Sequence, residues 1–282
     1  MWKKTLTVVC TLALLIGFVS SANAQERLEF AYVEWDCAVA STHVAEAVLQ
    51  EELGYDVTTV PVSAAAMWQG VADGDVDAHV AAWLPITHQG YYEANKDDIV
   101  ELGTLVEGAR IGLVVPEYVE ADSIEDLNDY VDQFDGEITG IDPGAGIMSA
   151  TESAIEEYNL DFSLLEGSDA TMTGALDTAI RMDDWIVVTG WTPHWKFARY
   201  DLKYLEDPKG TYGEAERIEK IARQGLQDDA PEAYQFLDNF YLTQAELGEV
   251  MELNTEYPDD LYANAVQFIE ENPDLVEKWL GN

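Results

Sequence analysis

The sequence predicts an α/β chain folded as two lobes with a helical return. Short apolar runs alternate with helical patterns, the alternation comes in two series, and everything beyond about Thr211 reads as helix alone. Strands alternating with helices predict parallel sheets covered on both faces.

In the first series Leu28–Val33 reads as a strand, Thr42–Leu53 as a helix, Asp56–Val60 as a strand, Ala64–Ala72 as a helix and Asp77–Ala82 as a strand. Ile111–Val115 is a strand stopped by Pro116. The second series runs strand Glu137–Ile141, helix Ile147–Tyr158, strand Phe162–Leu165, helix Ala170–Met182 and strand Trp185–Thr189. The helical return comprises Gly213–Gln224, Ala230–Phe240, Thr243–Thr255, Leu261–Glu271 and Asp274–Leu280. The chain is expected to cross between lobes near Val114–Glu117 and again near Leu202–Pro208. Lobe 1 would hold residues 25–114 and 209–282, and lobe 2 residues 115–208. No fixed-period repeat and no low-complexity stretch interrupts this layout.

The first 24 residues read as an export signal. Lys3 and Lys4 precede an apolar run from Leu6 to Val19, and Ala22-Asn23-Ala24 is a small-x-small cleavage site before Gln25. The run is shorter than the roughly 20 residues a membrane anchor needs. Cys10 lies inside it rather than at its end, so no lipid attachment is expected there. The mature product is expected to be free in the periplasm. Its one cysteine, Cys37, forms no internal disulfide and reads as a small buried hydrophobe.

Charge excludes one class of partner. The chain has 55 Asp and Glu against 14 Lys and Arg, and without the signal the net charge is −43. Such a surface repels phosphate backbones, so no nucleic-acid partner is expected. The acids are dispersed rather than gathered in a tail, which favours a salty habitat over a polycationic docking partner. With 48% hydrophobic and 11% aromatic residues the chain is globular.

The informative feature is where the tryptophans fall. Trp35, Trp83 and Trp191 each end a strand-like run, and ligands of open α/β sheets bind beyond the carboxyl ends of strands. Any one of them alone reads more readily as core. Pro85 and Pro193 force the chain out of regular structure just after two of the indoles, and the run after Trp35 offers little apolar cover. Trp68, Trp185, Trp195 and Trp279 read as packing. A second signal is the loop Asp142-Pro143-Gly144-Ala145-Gly146-Ile147, whose glycines allow close backbone approach where a helix opens. Without a lysine it suits a carboxylate better than a polyphosphate. His88, past Pro85, can donate to the same ligand. His43, His79 and His194 lack metal-ligand spacing with Cys37 or one another, so no metal is expected. An aromatic half that attracts a cation and an anion-binding half together describe a small zwitterion with a methylated cationic end.

The segments Trp35–Thr42, Ala82–His88, Gly140–Met148 and Val188–Trp195 resemble those of the glycine betaine/proline betaine substrate-binding proteins of ABC importers, and the likeness spans nearly the whole mature chain. That resemblance implies a two-lobe periplasmic-binding-protein fold, type II-like, with the ligand in the cleft between lobes. It implies a cage of Trp35, Trp83 and Trp191 around a quaternary ammonium. It also implies a carboxylate held by the backbone amides of Gly146 and Ile147 and by His88. Some members carry the lobes in the opposite chain order, so the correspondence rests on motifs and not on linear position. The implied activity is capture of glycine betaine or proline betaine and delivery to a membrane permease, by a monomer with no cofactor and no catalysis. Choline, carnitine or dimethylsulfoniopropionate is the alternative ligand within the same class. An exported hydrolase is the alternative outside it, but Ser41 and Ser149 have no Gly-x-Ser-x-Gly setting.

Overall fold

The structure, a computed structural model, describes residues 26–281, so the expected export signal lies outside the described residues. The chain begins with β1 (Arg27–Tyr32), α1 (Asp36–Glu51), β2 (Asp56–Pro61), α2 (Ala64–Asp73) and β3 (Ala78–Leu84). β1 pairs in parallel with β2 and with β3, each strand returning beside its neighbour through a covering helix. All of β3 is buried, as a run of Ala-His-Val-Ala-Ala-Trp-Leu permits in a central strand. α1 starts at Asp36 rather than at Thr42. Its first turns are Cys37, Ala38, Ala40 and Ser41, all buried, and these small side chains read as loop where they are in fact close helix–sheet packing.

After α3 (Gln89–Asn95) comes β4 (Ile99–Pro116), 18 residues long, of which the apolar pattern marked only the end. Up to Ala109 it pairs antiparallel with β9 (Glu216–Arg223), and from Arg110 to Val114 with β7 (Val188–Thr192). One strand therefore belongs to both lobes, and its change of partner falls between 109 and 110, ahead of the expected 114/115 limit. Three register shifts, with Gly103 and Gly108 at positive φ, break the alternation that marks a strand in sequence.

The second lobe holds β5 (Glu137–Thr139), α4 (Gly146–Tyr158), β6 (Ser163–Leu165), α5 (Asp169–Met182), β7, α6 (Lys196–Arg199) and β8 (Leu202–Tyr204). β5 is parallel to β6 and β7, while β7 and β8 run antiparallel to β4. The chain then returns through residues 205–215 into β9, which inserts between β3 and β4. The sheet order is β2-β1-β3-β9-β4-β7-β5-β6. The expectation of parallel sheets is thus corrected to mixed ones, because β9 and β4 link the lobes as antiparallel strands.

β9 also corrects the helix expected over Gly213–Gln224. Glu-Arg-Ile-Glu-Lys-Ile-Ala-Arg has high helix propensity, but between β3 and β4 it is buried almost throughout, and tertiary pairing overrides propensity. A short α7 (Leu226–Asp229), outside the expected helices, follows, and the rest of the return is helical as expected: α8 (Pro231–Asn239), α9 (Gln244–Glu256), α10 (Leu261–Glu271) and α11 (Pro273–Trp279). α9 and α10 pack on α1, and α8 packs on β4. Among the described residues no helix is long and apolar enough to cross a membrane.

Candidate functional site

Between the lobes lies a cavity with about 280 Å³ of empty space, lined by Trp35, Trp83, Thr87, His88, Ile111, Ile141, Ala145, Gly146, Ile147 and Trp191. All six residues singled out in the sequence meet there. Trp35 is the N-cap of α1, Trp83 the penultimate residue of β3, and Trp191 the penultimate residue of β7. Each element therefore delivers an indole from the carboxyl end of a strand. The three are 3–5% exposed, so the indoles themselves are withdrawn from bulk solvent.

The same lining also holds neutral polar groups. Gly146 and Ile147 are the first two residues of α4, and a helix leaves its first amides without intrahelical partners, backed by its dipole. His88 is fully buried, and burial pushes its pKa down to about 3, so the ring is neutral at physiological pH. Its Nδ1 accepts from the Trp83 amide at 3.1 Å and from the Trp68 indole N–H at 3.4 Å. The ring proton must then sit on Nε2, the buried atom with no protein partner. Two helix-start amides and one imidazole N–H thus belong to residues of the lining, and among the described residues that line the cavity none is charged.

Several bonds across the cleft describe a shut form. The Trp35 indole N–H donates to Asp142 Oδ1 at 2.9 Å, and the Tyr91 hydroxyl donates to the Gly144 carbonyl at 2.8 Å. Gly146 lies so close to the first lobe that a Cβ there would collide with the Thr87 carbonyl oxygen. The loop after β3, which carries Thr87 and leads to His88, is held by Glu216, the first residue of β9. Its carboxylate accepts from the Ile86 amide at 2.7 Å, the Thr87 amide at 2.8 Å and the Thr87 hydroxyl. Glu216 pairs with Ala109, where β4 changes lobe.

The family model for the substrate-binding domain of ABC-type glycine betaine transport systems, OpuAC, matches residues 26–271. The chain belongs to this family. Lactococcal OpuAC, in its closed form complexed with glycine betaine, superimposes with a TM-score of 0.85 at 40% identity, over 91% of this chain and 100% of that one. ProX from Borrelia burgdorferi, a glycine betaine/L-proline-binding protein, gives a TM-score of 0.87 at 37% identity, over 90% and 96%. Glycine betaine/carnitine transport binding protein GbuC of Listeria monocytogenes serotype 1/2a (strain 10403S) is 49% identical over 154 residues, 54% of this chain and 51% of GbuC. The match thus spans about half the length of that curated relative. The fold class is the two-lobe periplasmic-binding-protein class with its ligand in the cleft.

Sequence reasoning on this OpuAC-family chain missed the supporting residues. Asp142 and Glu216 hold Trp35 and Thr87 of the cavity lining by hydrogen bonds, and Tyr91 holds the neighbouring Gly144 carbonyl; acids are too many in this sequence for either carboxylate to stand out. Trp68 and Trp195 read as packing, yet each also donates a hydrogen bond, Trp68 to His88 and Trp195 to Asp36. Trp185 packs against Tyr130 and Phe134, and Trp279 against Phe240.

Proposed function

We propose that the protein captures glycine betaine, or proline betaine, between its lobes outside the cytoplasm and hands it to the membrane permease of an ABC importer, without covalent chemistry. The observation that carries this reading is the make-up of the cavity: three indoles, three residues that can offer neutral hydrogen-bond donors, and no carboxylate among the lining residues. Indole faces of Trp35, Trp83 and Trp191 attract a quaternary ammonium by about 0.5–2 kcal/mol per desolvated contact. The Gly146 and Ile147 amides and the His88 Nε2–H take the carboxylate. An unmethylated amino acid would bury ammonium hydrogens without acceptors, at a cost of about 1–3 kcal/mol each. Choline would leave the three donors unmatched, so it ranks below the betaines. A ligand of about eight heavy atoms has a ceiling near −12 kcal/mol at about −1.5 per atom, which leaves micromolar affinity within reach.

Calorimetry with Trp83→Ala and Trp191→Ala tests the cage. Most glycine betaine binding disappears in both while circular dichroism stays unchanged. Unaltered affinity in both variants defeats the assignment. A thermal-shift panel of glycine betaine, proline betaine, carnitine, choline and glycine ranks the ligands; at about 100 times its Kd a ligand adds about 2.7 kcal/mol of stability. A shift with glycine alone rules out the quaternary-ammonium reading.

A further inference from the structure

Directly behind the tryptophan cage, and outside the cavity lining, lies a second cluster of polar groups shared between the lobes. Asp36, from lobe 1, follows Trp35. Its backbone N–H donates to Asp169 Oδ2, from lobe 2, at 3.0 Å, and its carboxylate accepts the indole N–H of Trp195, also from lobe 2. Asp169 is 2% exposed and accepts from His194 Nε2 at 3.0 Å. His194 Nδ1 takes the Lys196 amide at 3.1 Å, which fixes the proton on Nε2 for Asp169. Both imidazole nitrogens are thereby occupied, and a buried ammonium stands close by, so the Asp36–Asp169–His194 group reads as a hydrogen-bonded network rather than a cation site. Lys196 is fully buried with its Nζ 4.1 Å from the centre of the Trp191 ring.

We propose that Asp36, Asp169, His194 and Trp195 form a cross-cleft latch that sets ligand affinity without touching the ligand. Asp36 contributes from one lobe and the other three from the other. The Asp36–Asp169 and Asp36–Trp195 bonds therefore exist only when the cleft is shut. Interactions made in one conformer alone shift the balance toward it, and apparent affinity scales with the population of the binding-competent form. The latch is tied to the cage at two points: Asp36 is the neighbour of Trp35, and His194, Trp195 and Lys196 follow Trp191 within five residues. Trp35 is thus gripped on two sides, by Asp142 at its indole nitrogen and by the Asp169 contact to the next residue's backbone. Charge accounts for the cluster's composition. Closure brings two carboxylates together; burial and Asp169 push the Asp36 pKa up to about 6. Burial opposes ionisation of Asp169 as well, but His194 and Lys196 hold its carboxyl below the usual aspartate range.

The proposal rests on the closing-cleft reading above, and four proteins test it: wild type, Asp36→Ala, Asp36→Asn and Trp195→Phe. Glycine betaine affinity measured by calorimetry weakens about tenfold or more in Asp36→Ala and Trp195→Phe. It stays within about threefold in Asp36→Asn, whose amide oxygen still accepts the indole N–H. The melting temperature of ligand-free protein is unchanged in all three, because the bonds are absent from the open form. Equal affinities across the set, or ligand-free melting that falls as much as ligand-bound melting, would overturn the latch. Trp195→Phe keeps the test intact if Asp36→Ala does not fold. Failure of wild type to bind glycine betaine would bring down the ligand assignment alone. The latch is then read from spin labels at exposed Glu52→Cys and Glu120→Cys in ligand-free protein. Burial holds the Cys37 thiol up at about 12, so it stays unlabelled. A closed subpopulation in wild type that Asp36→Ala removes supports the latch; identical distance distributions overturn it.

Discussion

At the scale of single residues, Gly146 separates binding from stability. It opens α4, and a methyl group on its Cα would strike the Thr87 carbonyl of the facing lobe, with Thr87 Cγ2 at 2.6 Å. That collision exists only with the cleft shut. Alanine is otherwise the better helix former, by up to about 1 kcal/mol in a helix interior. Gly146→Ala is therefore expected to melt at the wild-type temperature or slightly above it without ligand, and to bind glycine betaine about 100-fold more weakly or worse. Calorimetry and a ligand-free melt on the same sample check both halves; a variant that binds normally shows that Thr87 and Gly146 do not approach in the bound form. The six residues proposed as the site were legible in the sequence by two routes: indoles at strand ends, a glycine-bearing loop opening a helix and a histidine past a proline stood out as residue types, while the Gly146-Ile147 pair was singled out through the family resemblance. Asp36, Asp142 and Asp169 were not. Their significance lies in which lobe each faces, and among 55 acidic residues composition carries no such information.

At the scale of elements, the two strands that join the lobes were the least legible part of the fold. Parallel strands with covering helices announce themselves by alternating periods, and β1, β2, β3, α2, α4 and α5 fall within a few residues of expectation. β9 did not, since Glu216, Glu219 and Lys220 are charged residues buried in a central strand. Each has a specific partner: the 86–87 amides for Glu216, Arg217 for Glu219, and the Asp238 and Phe240 carbonyls at the end of α8 for Lys220. Buried polar groups keep their place only when satisfied, and those partners are distant in sequence from β9 or invisible to a period count. Glu216 gives the element a function, because it ties the linking strand to the loop between Trp83 and His88. Glu216→Ala leaves the Ile86 and Thr87 amides without their acceptor and costs about 1–3 kcal/mol. Unlike Gly146→Ala, it is expected to lower both the ligand-free melting temperature and the affinity, the latter about tenfold as the loop loses its register. Lowered stability with wild-type affinity would show that the loop holds its shape without the carboxylate.

At the scale of the whole molecule, closure must bring together two bodies of the same strong charge. Residues 110–215 carry 23 acidic and 6 basic side chains, and the rest of the described chain 32 acidic and 6 basic. The ion pairs that relieve this are few and largely exposed, such as Arg27–Asp56 and Arg181–Asp177, and exposed pairs contribute little. Repulsion between the lobes therefore acts against the shut form. It acts through solvent, where the screening length falls from about 10 Å at 0.1 M salt to about 3 Å at 1 M. The attractions inside the cleft behave differently: the indoles and the Asp169 carboxylate that accepts the Asp36 amide are buried and screened much less. Raising the salt should thus weaken the opposition to closure and leave the grip intact. Glycine betaine affinity is expected to tighten about tenfold, equivalent to about 1.4 kcal/mol, between 0.1 and 1 M sodium chloride. Sucrose at matched osmolality supplies the control, since it strengthens apolar burial without adding ions. Equal tightening in sucrose would assign the effect to burial rather than charge. Weaker binding in salt would mean that lobe repulsion does not limit closure.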